Sequence, residues 1–220
     1  MFDIDGTLVD SRASILRAAV EASREVGLPE PDYETVRVGI GLPLHDALRL
    51  IAPQIDDPTL DRYVDGFKAA FLRMNTDPHF HEPLYDGAMD LLHRLKRDGW
   101  RLALATGQSR RGVNRNLARE SWADLFLSSH CVDDGPGKPH PAMLQAAMNA
   151  CGACSGTTVM IGDTAHDITM ALNAGVRPQG VAWGFHTVEE QQAAGAPHVA
   201  ADFVELEAAL DRFASEAQAA

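Results

Sequence analysis

Phe2-Asp3-Ile4-Asp5-Gly6-Thr7-Leu8-Val9-Asp10-Ser11 sets two carboxylates one residue apart, after a short apolar start and before a glycine turn. Such a pair can project into one pocket, although by itself it also fits an acidic turn. Three further sites change the balance. Leu102-Ala-Leu-Ala105 runs into Thr106-Gly107, a hydroxyl and flexible backbone amides at a strand end, suited to a phosphate oxygen. Thr157-Thr-Val-Met-Ile161 runs into Gly162-Asp163-Thr-Ala-His-Asp167, a second acidic pair at a strand end. Lys138 is held in the stiff loop Gly135-Pro-Gly-Lys-Pro139. Each has a plainer reading alone: a threonine cap, a helix-capping acid, a solvated lysine. Lys138 is not a P-loop lysine, because G-x-x-x-x-G-K-[ST] is absent.

Outward from these sites, buried strand-like runs alternate with helical spacing. A third run, Gly180-Val-Ala-Trp183, ends in Gly-Phe. Gly87 to Asp98 keeps Met89, Leu91, Leu92 and Leu95 on one helical face and stops at Gly99; Pro141 to Ala150 starts on a proline. Alternating strands and helices predict an α/β fold, a Rossmann-like three-layer α/β/α core with a parallel sheet and right-handed crossovers. The segment after Ser11 breaks the rhythm: Ser14 to Val26, Pro43 to Ile51 and Leu60 to Asn75 read as helices with no strand between. The expected division is a core domain of residues 1–11 and 82–220 and an all-helical cap domain of residues 12–81. A last helix is expected over Val204 to Phe213, with a frayed tail from Ala214 to Ala220. No internal repeat or low-complexity linker interrupts the chain.

Four such strand ends in a parallel sheet converge on one crevice, because open α/β sheets bind ligands beyond the carboxyl ends of their strands. The set then supplies acids for a hard cation, a cation for phosphate, and a hydroxyl donor. Mg²⁺ favours carboxylate and water oxygens, and Mn²⁺ suits the same donors.

The 220 residues are 45% hydrophobic and 23% charged, an ordinary globular profile, and the length suits one core domain with a sizeable insertion. The formal net charge of -12 disfavours nucleic acid and anionic membranes as partners, and Arg110-Arg111 is too short to make a basic patch. An acidic surface also repels an anionic substrate, so a phosphate site needs its own positive charge. Acidic residues at the N-terminus argue against a signal peptide, and no apolar stretch approaches the roughly 20 residues that span a bilayer. Three cysteines, Cys131, Cys151 and Cys154, suit a reducing cytoplasm. Cys151-Gly-Ala-Cys154 has redox or half-zinc-site spacing but no second pair, so both read as surface-loop thiols.

The ordered set Asp3-Ile-Asp5-Gly-Thr7, Thr106, Lys138, Gly162-Asp163 and Asp167 resembles the four motifs of the haloacid dehalogenase superfamily, and the resemblance spans nearly the whole chain. The helical insertion, Ala105 to Arg111, and Asp163 through Asn173-Ala-Gly-Val176 to His186 are similar to the phosphoglycolate-phosphatase-like branch. That resemblance implies a Mg²⁺-dependent phosphatase acting on a small phosphate monoester, phosphoglycolate first, as a monomer or homodimer. It implies Asp3 as nucleophile through an aspartyl-phosphate, and Asp5 as acid and then base. Mg²⁺ would be held by Asp3, the Asp5 carbonyl and Asp163. Phosphate would meet Lys138, Thr106 and Gly107, with Asp167 supporting from behind. Asp5 favours phosphate chemistry, since the dehalogenases resemble a pattern without it. One departure is the short strand before Asp3, from which a longer natural chain is expected.

Two alternatives stay open: a phosphomutase on the same scaffold, which would isomerise a hexose 1-phosphate without releasing phosphate, and a non-catalytic protein, which would be indifferent to Asp3→Asn. Val38-Gly-Ile-Gly-Leu-Pro-Leu44 reads as the cap segment facing the site or as a helix-connecting turn. His45 and His81 are weaker candidates for substrate contact. His166 is expected to point elsewhere, and Trp183 and Phe185 to serve packing.

Overall fold

A computed structural model describes residues 1–77, 79–119 and 122–219. Five strands run parallel: β1 Leu102–Thr106, β2 Phe126–Cys131, β3 Val159–Gly162, β4 Arg177–Val181 and β5 Val199–Ala200. Phe2 joins them into one sheet by bridging Leu104 on one side and Ile161 on the other, giving the order β2-β1-Phe2-β3-β4-β5. The Phe2 amide donates to the Ala103 carbonyl at 2.9 Å, and the Asp3 amide to the Ile161 carbonyl at 3.0 Å. Asp3 therefore leaves the centre of the sheet at its carboxyl edge.

Side chains alternate across the sheet with the strand period of two. Phe2, Leu102, Leu104, Val159 and Ile161 face one side, where they bury Leu92 and Leu95 of α5 (Ala88–Arg97), Val113 of α6 (Arg110–Leu117), Trp122 and Leu125 of α7 (Trp122–Leu125), and Leu206 and Leu210 of α11 (Phe203–Ala219). Met1, Ala103, Ala105 and Met160 face the other, against Met143, Leu144 and Ala147 of α8 (Ala142–Cys151) and Met170 and Ala171 of α9 (Ala165–Asn173). These two interfaces make the three-layer α/β/α core, which α10 (Val188–Ala193) completes beside β4.

Several expected boundaries shift. The third strand is Arg177–Val181, not Gly180–Trp183. Its Pro178 is tolerated because the Gly180 amide two residues on bonds His198 at the start of β5, so Pro178 faces that side before β5 arrives. Strand β2 was not expected; it lies on the sheet edge, where Ser128, Ser129 and His130 are only partly buried, so no continuous apolar run marks it. The tail expected to fray from Ala214 is helical to Ala219, anchored by Phe213 in the core and an Arg177–Glu216 ion pair at 2.6 Å. Ala220 lies outside the described residues. Cys151 is buried under α8 rather than in a surface loop, because α8 extends one turn position further than its sequence pattern; Cys154 is exposed, and all three cysteines are free.

Between Ser11 and Glu82 the described chain forms only helices: α1 Arg12–Glu25, α2 Tyr33–Arg37, α3 Leu44–Ile51 and α4 Asp57–Thr76. Small residues let α1 and α4 approach closely, with Ala18, Ala22, Gly66 and Ala70 at the contact. The short helix α2 was not expected; Asp32 starts it by accepting the Thr35 amide. The chain enters and leaves this segment at one point. The Asp10 amide donates to the Pro83 carbonyl at 2.8 Å, and Val9 and Leu84 form an antiparallel bridge. Among the described residues no helix is long and apolar enough to cross a membrane.

Candidate active site

Four strand ends deliver their polar residues to one place. Asp3 leaves the central bridge, Thr106 ends β1, Lys138 lies in the loop after β2, and Asp163 follows β3. Lys138 is the hub: its Nζ lies 2.8 Å from Asp3 Oδ1 and 2.6 Å from Asp167 Oδ1, with all three side chains shielded from water. Asp3, Asp163 and Asp167 offer carboxylate oxygens within 4.8 Å of one another. Three buried carboxylates thus face one buried ammonium. The cluster is short of positive charge, and its donors are all oxygen, the set that a hard divalent ion such as Mg²⁺ fits.

The electrostatics follow from burial. Loss of hydration pushes the Asp3 carboxyl up from its ordinary value, and Lys138 pulls it back. Burial also pushes Asp163 well up, and the carboxylates of Asp167 and Asp3 add to that rise. For Lys138, burial opposes the charge, but Asp167 and Asp3 outweigh it and hold the ammonium above its usual range.

Local structure fixes each acid. Thr7 donates its hydroxyl to Asp163 Oδ1 at 2.9 Å, and the Phe185 amide donates to Asp163 Oδ2 at 2.8 Å. Asp167 accepts both the amide (3.2 Å) and the hydroxyl (2.6 Å) of Thr164 in a reciprocal cap at the start of α9. Both Asp167 oxygens are therefore engaged by protein donors. Asp5 is only partly buried and reaches across to the loop after β1, where Gln108 Nε2 donates to its Oδ2 at 2.8 Å. Gln108 is in turn held by Asn116 Nδ2, which donates to Oε1 at 3.0 Å. Thr106 is fully buried and its hydroxyl accepts the Gln108 amide at 3.3 Å.

A cavity of about 800 Å³ opens from Asp3, Asp5 and Gly107 into the helical segment. Lys138, Thr106, Asp163 and Asp167 stand behind its wall rather than on it. Residues 39–42 form part of the roof. Gly107 lies so close beneath it that a Cβ there would sit 2.8 Å from the Gly41 carbonyl oxygen. His45 lines the cavity and His81 is not among its lining residues. His166 points away from the acids, its Nε2 3.2 Å from the Val38 carbonyl. Arg37 pairs with Glu190 at 2.8 Å, a second tie between the helical segment and the core. Trp183 stacks on Phe203 and donates to the Thr7 carbonyl, and the Phe185 ring is buried; of the two, the Phe185 amide is the one that reaches the acid cluster.

Sequence reasoning missed Gln108, Thr7, Arg111 and Arg115. Thr7 stood inside the first quoted stretch and Gln108 inside the loop after β1, but neither carries a charge that would single it out. Arg111 and Arg115 line the cavity from α6; Arg115 is held by Glu82 at 2.9 Å.

This arrangement defines a three-layer α/β/α protein with a buried acid–lysine site at the carboxyl edge of its sheet. Residues 1–181 match the model of the family described as "Haloacid dehalogenase-like hydrolase". The chain belongs to that family. It is 36% identical over 198 residues to "Probable phosphatase IndB" of Dickeya dadantii, covering 88% of this chain and 85% of that one. It is 29% identical over 184 residues to "Pyrophosphatase PpaX" of Anoxybacillus flavithermus, covering 83% and 82%. Among solved structures, that of "a predicted phosphatase from Clostridium acetobutylicum" superposes with a TM-score of 0.85 at 25% identity, covering 96% of each chain. The protein is an enzyme, a hydrolase of the phosphatase kind.

Proposed function

We propose that the protein hydrolyses a small-molecule phosphate monoester in two displacements through a phosphorylated Asp3. The observation that carries this reading is the Lys138 bridge, which leaves Asp3 buried, oriented and directly at the end of the cavity. With Oδ1 held by Lys138, Asp3 Oδ2 attacks phosphorus, the bond to the ester oxygen breaks, and Asp5 gives that oxygen its proton. Water then attacks phosphorus, Asp5 takes its proton, and the bond to Asp3 breaks to release phosphate. Gln108 holds Asp5 on the cavity side. Lys138, behind the wall, offsets through Asp3 the charge of the transferring group. The Gly107 amide orients that group's oxygens, with Thr106 behind it supporting that loop through the Gln108 amide. Asp3, the Asp5 carbonyl and Asp163 would hold Mg²⁺, which when bound lets an anionic nucleophile approach an anionic phosphate. Residues 12–81 act as the cap, excluding bulk water and restricting entry to small molecules. A phosphoglycolate-like ester satisfies the phosphate end.

Phosphate release from a panel of small esters, with Mg²⁺ and with chelator, tests this. Release that chelator abolishes and Asp3→Asn lowers by about 10⁴-fold or more is expected. Unchanged turnover in pure Asp3→Asn protein overturns the assignment of the nucleophile.

A further inference from the structure

The cavity is far larger and more apolar than a phosphate group requires. About 300–1,000 Å³ is the range that encloses a drug-sized ligand, and this one measures about 800 Å³. Its polar groups are unevenly placed. Most gather on the core side, where Asp3, Asp5, Gly107 and Gln108 stand at the catalytic end with Arg111 and Arg115 of α6 beside them. The helical segment adds His45, Lys68 and Asn75, all exposed side chains. The wall supplied by the helical segment is chiefly aliphatic and aromatic, carried by Ile15, Leu44, Phe67 and Phe71 with Leu48 buried behind them. Leu44 and Leu48 lie on one face of α3, and Phe67 and Phe71 on one face of α4, so the two helices present a continuous apolar lining.

From this lining we infer the substrate class: a phosphate monoester whose alcohol carries an apolar body, an alkyl chain or ring system, that lies between α1, α3 and α4 while the phosphate sits at Asp3. The inference rests on the phosphatase reading above and specifies its leaving group. A sugar or glycolate would bring hydroxyl or carboxylate groups against that wall. A buried polar group without a partner is costly, so a polyhydroxylated leaving group is selected against there. An apolar body instead releases water from the wall, and the gain grows with each methylene. Continuity with the catalytic carboxylates makes the occupant a part of the substrate rather than a separate ligand.

An n-alkyl phosphate series from ethyl to hexyl isolates this effect, because the leaving-group chemistry stays nearly constant along it. The expected result is a rise in kcat/KM of about tenfold or more from ethyl to hexyl phosphate, with phosphoglycolate and glucose 6-phosphate at or below the ethyl value. The same order is expected in the inhibition or calorimetric affinity of the non-hydrolysable alkyl phosphonates, a measurement independent of turnover. Leu72 lines the cavity and is 41% exposed, so Leu72→Asn keeps the fold and is expected to flatten the series. Leu44→Asn, deeper in the wall, should flatten it further. Turnover of short esters with no dependence on chain length, in rate or in phosphonate affinity, overturns the apolar class and leaves the phosphatase intact. Phosphonate affinity that climbs with length in a protein that hydrolyses no ester upholds the pocket and overturns the reaction.

Discussion

Lys138 Nζ lies 2.6 Å from Asp167 Oδ1, and neither side chain is reached by solvent. The pair is held from both ends, Asp167 by the Thr164 cap of α9 and Lys138 by its second contact with Asp3. In the proposed mechanism Asp167 is thus a positioning residue: it aims the ammonium that in turn orients Asp3.

Removing the cation exposes what it balances. In Lys138→Met, three carboxylates remain buried with no positive partner among them. Breaking a buried pair from one side costs about 3–5 kcal/mol, and losing a charge-stabilising group in the site costs about 10²–10³ in rate. In the variant Asp3 and Asp163, already raised by burial and now without the ammonium, bind protons in the folded state that the unfolded chain gives up. Its stability is therefore greatest at acid pH and falls as pH rises above the ordinary carboxylate range. Thermal melts in chelator at pH 5 and pH 7.5, compared with the unaltered protein, check this; a variant equally stable at both contradicts it.

The proposed mechanism gives Asp5 a different job, and the leaving group reports it. Asp5→Asn should slow alkyl phosphates, whose alcohol needs a proton, by about 10²–10⁴-fold. It should slow p-nitrophenyl phosphate, whose phenolate leaves unaided, much less. Gln108→Leu keeps the carboxyl but removes the 2.8 Å bond that points it. The expected outcome is the same pattern in kcat at smaller size, with the pH profile of the alkyl esters altered and KM little changed. Equal losses on both ester classes would remove the acid role.

The residues that gather at the site were legible because their signal is local. Asp3, Thr106 and Asp163 each sit at the end of a short apolar run, and the parallel topology implied by those runs brings such ends together; Lys138 stood out instead as a lone cation in a stiff Gly/Pro loop. Gln108 could not be read, because its role depends on a contact with a residue 103 positions away. Strand β2 was hidden by its place at the edge, where half-exposed Ser128, Ser129 and His130 replace apolar residues. The cavity was hidden for another reason. Leu44 and Leu48 repeat with the same helical period whether a helix face meets its neighbour or an open cleft, so periodicity cannot separate lining from core.

His130 on β2 should contribute to acid sensitivity. Burial lowers its pKa below the ordinary 6.5; Asp134 opposes this and Arg110 reinforces it. The folded protein therefore holds the neutral ring, while the unfolded chain binds a proton once pH drops below about 6.5. The stability tied to this ring is complete above that pH and declines as pH falls further. Melting temperatures between pH 7.5 and pH 5 should fall less steeply in His130→Gln than in the unaltered protein. Parallel slopes would show that the ring does not titrate in this way.

Gly184 carries the most specific prediction about the metal. A Cβ at this position would stand 2.2 Å from Asp163 Oδ2 and 2.3 Å from Asp163 Cβ, far inside van der Waals contact. Asp163 has little freedom to yield, since Thr7 and the Phe185 amide hold its two oxygens. Gly6, in the turn after Asp5, crowds the same carboxylate, with a hypothetical Cβ also 2.2 Å from Oδ2. The pocket around Asp163 is thus shaped by two glycines as much as by its donors. Gly184→Ala must displace the Asp163 carboxylate, which in the proposed mechanism binds Mg²⁺ rather than meeting the substrate. The expected outcome is a Mg²⁺ requirement raised by about tenfold or more, read as the activation midpoint and as calorimetric Mg²⁺ affinity. At saturating Mg²⁺, KM for the ester should stay near its original value. A variant with unchanged Mg²⁺ affinity and a raised KM would place Asp163 against the substrate instead.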